Sequence, residues 1–189
     1  EEYTHEVTHG DVHTANQKAA GLSTRDNAKT FIYAFLYGAG DAKIGSVVGG
    51  SKRDGAKLKE KFLTNTPSLR TLRERVLRAT KRGHLRGLDG RRLIVRSEHA
   101  ALNTLLQSAG AVIMKKALTI LDEYAIIHSM DYRFVGNIHD EFQVEVKEAH
   151  AEKFGWLAVE CIKAAGTRME LKCPLDGEYK VGDNWASTH

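Results

Sequence analysis

Between residues 98 and 147 the hydrophobic pattern changes period once, and that change limits the fold more than any other feature of the chain. The stretch "EHAALNTLLQSAGAVIMKKALTILDEYA", 98–125, repeats its apolar residues at three and four, which predicts one long helix. Soon after it, "YRFVGNIHDEFQVEV", 132–146, alternates at two and so predicts a strand, a polar turn and a second strand. The rest of the chain must say what surrounds this helix and hairpin.

Most of it reads as helix. Residues 11–20 make a short one, with Asp11 as N-cap and Gly21 just past its end. "STRDNAKTFIYAFLYGAG", 23–40, makes the next, with Thr24 as N-cap and Gly38 beyond its last turn. A Gly-rich stretch, "GAGDAKIGSVVGGS", is expected to be a linker into a basic helix over 52–64. Thr66 is expected to cap another helix that has Pro67 at its first position. "HLRGLDGRRLIVRS" predicts a hairpin turning at Asp89-Gly90, and a last helix over 147–168 precedes a C-terminal strand or loop. The expected class is α+β, mostly helical with a small antiparallel sheet.

Composition narrows the function. At 189 residues the chain can bury a core in one domain or two associated subdomains. No apolar run is expected to be long enough to cross a bilayer, so no membrane partner is expected. Two cysteines, Cys161 and Cys173, make a disulfide framework improbable and a reducing compartment such as the cytoplasm the default. The first residue is not Met, and the opening "EEYTHEV" suggests a cut, processed or split product. Charge is uneven: residues 52–96 hold fifteen Lys or Arg against four acids, so with a chain total of +4 the remainder carries −7. Such a basic block fits a polyanion, nucleic acid above all, although a pair of solvated helices would look the same.

Three groups of residues carry chemistry. Arg25, Lys29, Tyr33 and Tyr37 repeat at four, so they share one slowly drifting stripe of a helix. Arg25 falls in the first turn, where unpaired N–H groups already favour an anion, and His13 falls in the first turn of the preceding helix. Together they could face a phosphate chain, with Tyr33 further along to meet an attached sugar or base. Ala28, Phe31, Ile32 and Phe35 form the opposite, apolar face. His99, Asn103 and Gln107 repeat at four on the long helix, as a row of donors. They suit the acceptors that every base pair offers in the minor groove, or else are polar groups satisfied within a core. "NIHDEF" sets Asp140 and Glu141 at a hairpin tip beside His139, where adjacent carboxylates can hold magnesium or can simply be turn residues.

Taken in order, Arg-x3-Lys-x3-Tyr-x3-Tyr-Gly, "LDGRRL", the Asn-x3-Gln helix and His-Asp-Glu resemble family A DNA polymerases. "TRDNAKTFIY", "FLYGAGD", "HAALNTLLQSAGA" and "NWA..H" resemble the replicative polymerases of short-tailed T-odd coliphages in particular. The resemblance covers essentially the whole chain. It implies fingers over 1–102 and the C-terminal part of the palm over 103–189. It further implies that His13, Arg25 and Lys29 grip the triphosphate of a deoxynucleotide, that Tyr33 stacks on its sugar, and that Tyr37 sits where the templating base enters. His99, Asn103 and Gln107 would track the minor groove of primer-template DNA, with His139 near the primer end. Asp140 and Glu141 would serve two magnesium ions, which makes Asp140, Glu141 and Lys29 the catalytic group.

The same resemblance implies that something is lacking. Family members carry a second metal-binding Asp on a palm strand upstream of the fingers, together with a thumb and often an exonuclease domain. This chain is expected to begin after that strand and to need a separate N-terminal part for activity. The segment before "LDGRRL" also looks shorter than in the coliphage type. The alternative is a non-catalytic DNA-binding accessory protein or polymerase remnant, and a magnesium nuclease built on Asp140 and Glu141 is a third. Nucleotide binding separates the first from both others.

Overall fold

Helices dominate the computed structural model, which describes residues 2–189, and the only sheets among those residues are two antiparallel hairpins. The expected α+β class is therefore borne out. The chain divides into two compact units, Glu1–Ser108 and Ala109–His189.

The first unit holds α1 (Glu2–His9), α2 (Val12–Ala20), α3 (Arg25–Leu36), α4 (Asp41–Val47), α5 (Lys52–Asn65) and α6 (Pro67–Thr80). A small hairpin follows, β1 (His84–Arg86) on β2 (Arg92–Ile94). Asp11 and Thr24 cap α2 and α3 as expected, each accepting a backbone N–H. Thr66 does not cap α6: its hydroxyl donates to the Phe62 carbonyl instead, at 2.7 Å. The apolar face of α3 is fixed by an aromatic cluster in which Phe62 meets Phe31 and Phe35 edge-on, with centroids 5.2 and 5.5 Å apart. Ile44, Leu58 and Leu63 close the same core. Each such ring pair adds about 0.5–1.5 kcal/mol beyond the area it buries, so α3 is held from behind.

The expected linker is not a linker, because its middle is α4. Glycine hid the helix, since it weakens helices by about 1 kcal/mol relative to alanine. Here glycine is needed for close packing of α4 on α5. A methyl at Gly55 would lie 1.9 Å from the Asp41 carbonyl oxygen, and one at Gly45 would lie 2.1 Å from that of Ser51. Lys59 of α5 then reaches Asp41 at 2.9 Å.

α7 (Ala101–Ile127) begins three residues later than expected and runs through the boundary between the units. Its start joins Val76 and Leu85 in a small core of the first unit. By length and composition it could cross a bilayer, with a mean hydropathy of 1.2, which corrects the expectation that no such stretch exists. However, Lys115 and Lys116 are exposed near its middle, and each would cost roughly 2.5–3.5 kcal/mol at a bilayer centre.

In the second unit β3 (Tyr132–Ile138) pairs with β4 (Glu141–Val146), with a register shift between Phe134 and Gly136. A 3₁₀ turn at Glu148–His150 leads into α8 (Ala151–Arg168), so the last helix proper starts later than expected. Its Phe154, Leu157, Ala158, Cys161 and Ala165 pack on Ala117, Ile120, Leu121 and Ala125 of α7. Tyr132 and Phe142 cover that core from the sheet. The C-terminal segment ends in a one-turn helix, α9 (Trp185–Thr188), which was not expected.

Candidate functional site

Arg25, Lys29 and Tyr33 lie on the exposed side of α3 and Tyr37, also exposed, is the residue that closes the helix, while Ala28, Phe31, Ile32 and Phe35 are buried behind them. His13 of α2 stands beside this row, its ring 6.5 Å from that of Tyr33. Its Nδ1 is buried and has no hydrogen-bond partner. The two cations of the stripe differ. Arg25 is already engaged, donating from Nε to Asp11 Oδ2 at 2.7 Å and from Nη2 to Asp11 Oδ1 at 3.1 Å. This pairing, with help from the Thr14 hydroxyl, holds the Asp11 carboxyl well below the usual carboxylate range and raises Arg25. Lys29 has no ion-pair partner among the described residues and points to solvent. Asp11, which the sequence marked only as a helix cap, is thus the carboxylate that meets one of the expected phosphate-binding cations.

The stripe ends at a close contact. Gly38 (φ +78°) donates to Phe35 O at 3.1 Å, and Ala39 donates to Ala34 O at 2.9 Å, closing α3 with two reversed hydrogen bonds. A methyl on Gly38 would lie 2.0 Å from the His99 carbonyl oxygen. The end of α3 at Tyr37 therefore abuts the turn before α7. His99 belongs to that turn and is not on the helix, which corrects the expected three-residue row. Asn103 and Gln107 do lie on α7, half-buried and exposed respectively. Neither side chain makes a hydrogen bond among the described residues, so they are not the satisfied core polars that the sequence also allowed.

At the other candidate site, His139 and Asp140 alone make the β3–β4 turn. His139 takes φ +56°, at the position where a two-residue hairpin ordinarily uses glycine. Asp140 is exposed and unpartnered among the described residues. Glu141 was expected at the tip, yet it opens β4 and its carboxylate is occupied. It accepts from Gln143 Nε2 at 2.6 Å and from Trp185 Nε1 at 3.2 Å, and it meets His189 Nδ1 at 3.0 Å. These contacts, Gln143 first, lower its pKa. Thr188 adds a bond to Gln143 Oε1 at 3.1 Å, so the C-terminal segment is tied to the hairpin through two of its side chains. No group of three or more metal-ligating side chains occurs among the described residues. Of the two carboxylates Asp140 is the unengaged one, a hard oxygen donor of the kind magnesium takes, while Glu141 is held by its three partners.

The basic block is largely available. Of its fifteen cations, Lys59, Arg70 and Arg91 pair with Asp41, Glu60 and Asp89. The others have no ion-pair partner among the described residues.

Residues 2–187 match the model of a family described as DNA polymerase family A. The DNA-directed DNA polymerases of Enterobacteria phage T3 and Escherichia phage T7 are each 47% identical to the chain over 210 aligned positions, which take in 100% of it and 30% of each phage protein. That of Escherichia phage Phieco32 is 43% identical, over 95% of this chain and 30% of its own. The chain therefore spans about 30% of the length of these relatives. Among solved structures, the POL domain of Pol1 from M. smegmatis in complex with DNA primer-template and dNTP shares the fold at a TM-score of 0.75 and 22% identity, over 85% of this chain and 32% of that one.

Proposed function

The chain belongs to DNA polymerase family A, and we propose that it is the fingers (1–102) and C-terminal palm (103–189) of a phage-type DNA-directed DNA polymerase. Its work is to extend a primer 3′ end with deoxynucleotides. The observation that carries this is the exposed row on α3: two cations then two tyrosines on one face, with His13 beside Tyr33 and an aromatic core behind. Binding duplex DNA alone does not require that row. A basic surface such as residues 52–96 would suffice, and with those cations it is the natural track for the primer-template backbone.

Each group then has a task. Lys29 and Arg25 meet the triphosphate, where fixed positive charge stabilises the charge that develops during transfer. His13 adds a donor beside them, and Tyr33 lies against the sugar. Tyr37 marks the place of the templating base at the end of α3. Asn103 and Gln107 present unpaired donors suited to minor-groove acceptors common to all correct pairs, with His99 preceding them in the turn. His139, beside Asp140 in the turn, is assigned to the primer end. When magnesium is bound, Asp140 is the residue here that would hold it, and the ion supplies charge stabilisation for phosphoryl transfer. Glu141 acts beside it, through the C-terminal segment that fixes it. We further propose that the 189-residue chain by itself is inactive, since no residue in it matches the family's upstream palm aspartate, and that an N-terminal palm segment completes it.

Lys29→Ala tests this reading in an assembly with such an upstream segment. The expected result is a fall of about 10²-fold in kcat/KM for the nucleotide with primer-template affinity unchanged. Equal loss of DNA affinity would assign Lys29 to the nucleic acid and favour a non-catalytic DNA-binding protein.

A further inference from the structure

Asp11 does more than cap a helix. Its two oxygens take four donors: His13 N at 3.0 Å, Thr14 Oγ1 at 2.7 Å, and the Nε and Nη2 of Arg25. The first two are local to α2 and survive whatever Arg25 does. The other two come from α3 and use part of the guanidinium fork that the proposed function assigns to phosphate. Both side chains remain well exposed, at 50% for Arg25 and 41% for Asp11. An ion pair so open to water is weak and exchangeable. A phosphate chain offers the same planar fork more charge and more acceptors than one carboxylate does.

We propose that Asp11 is a placeholder anion for Arg25. It holds the guanidinium when the phosphate end is vacant, yields it to a polyphosphate, and thereby tunes how tightly that end binds. This rests on the nucleotide-binding assignment of Arg25 and Lys29 and adds a residue that opposes it. No bond is made or broken, and the exchange replaces one ion pair by another. Asp11 keeps its place during the exchange because the α2 cap anchors it.

Asparagine separates the two roles of Asp11. It caps helices about as well as aspartate, but it is neutral and offers one acceptor oxygen in place of two. The experiment titrates sodium tripolyphosphate into the 189-residue chain at fixed ionic strength, read by calorimetry, with circular dichroism checking that each variant is folded. Asp11→Asn should bind tripolyphosphate about two- to fivefold more tightly, the range expected for release of an exposed ion pair. Asp11→Ser, also a good cap and uncharged, should do the same. Neither gain should persist when Arg25→Ala is added. Asp26→Asn, which removes the same charge one residue along α3, should gain less.

Unchanged or weaker binding by Asp11→Asn overturns the proposal. So does an equal gain from Asp26→Asn, which would mark a general field effect, or a gain that survives without Arg25. Lys29→Ala tells the levels apart. If the unsubstituted chain binds tripolyphosphate and Lys29→Ala weakens it, the phosphate assignment stands whatever Asp11→Asn does. If the unsubstituted chain does not bind it, that assignment and the placeholder fall together.

Discussion

The exposed row on α3 and the tip of the β3–β4 hairpin are the two chemically loaded regions of this chain, and they are held in opposite ways. The row is built on a helix whose rear face is set in a phenylalanine cluster, so its side chains share one direction by periodicity alone. The tip is a two-residue turn strained at His139, where neighbours in sequence have different fates. Asp140 stays in the turn, open to solvent, while Glu141 enters the strand and is taken by Gln143, Trp185 and His189. A helix turns sequence spacing into a shared surface. A hairpin tip divides adjacent residues between an open carboxylate and an engaged one.

Asp140→Asn should show the largest effect. In an assembly with the upstream palm segment, templated extension should fall by at least about 10²-fold, as when one preorganised charge partner is lost. Stability should change by no more than about 0.5 kcal/mol, because Asp140 is exposed and its side chain has no hydrogen-bond or ion-pair partner among the described residues. Glu141→Gln should do the reverse in kind: a smaller loss of rate, with Trp185 fluorescence altered because its indole partner is no longer a carboxylate. Equal losses of rate from the two substitutions would mean that the carboxylates act as a pair.

Next in size is the anchor at the end of the α3 row. Gly38→Ala must place a side chain at φ +78° and within 2.0 Å of the His99 carbonyl oxygen. The backbone alone should cost about 1–3 kcal/mol, and relief of the clash adds to it. Gly110→Ala on α7, where the added methyl meets nothing within 4 Å among the described residues beyond its own helix backbone and chain neighbours, should instead stabilise by about 0.4–1 kcal/mol. Thermal denaturation compares the two. Similar melting temperatures for both variants would remove the Gly38–His99 contact as a determinant of that region.

These contrasts also explain what could be read before the structure was known. The α3 row was readable because four-residue spacing and a buried opposite face are both local signals. The basic block needed only counting, and "LDGRRL" and "NIHDEF" carried their own turns. α4 was not readable, because its glycine is explained only by packing: Gly45 lies against the Ser51 carbonyl at the start of α5, and Gly55 of α5 lies against the Asp41 carbonyl of α4. The fate of Glu141 was not readable either, since Trp185 and His189 are 44 and 48 residues away. The spacing of His99 from Asn103 fits a helix, but spacing alone cannot say where a helix starts. Asp11 gave half its meaning through its cap. The other half needed Arg25 to arrive from the next helix.

The smallest expected effect tests whether the α3 row is as pre-set as its geometry says. Asp11 is held below the ordinary carboxylate range chiefly by Arg25, then by Thr14. A group whose folded pKa is lowered gives stability that is present above its unfolded value, about 3.9 for aspartate. That stability is lost as pH falls through the lower, folded value. The reporter is the backbone amide of His13, which donates to Asp11 Oδ1 at 3.0 Å and will shift in an NMR spectrum as the carboxylate is protonated. Its titration midpoint should lie well below that of an unpaired aspartate, and Arg25→Ala should move the midpoint up toward the ordinary range. Because both partners are exposed, salt should also raise it. A midpoint that ignores both Arg25→Ala and salt would show that the α2 cap alone holds Asp11. Arg25 would then be as free as Lys29, and the two cations of the row would be equivalent.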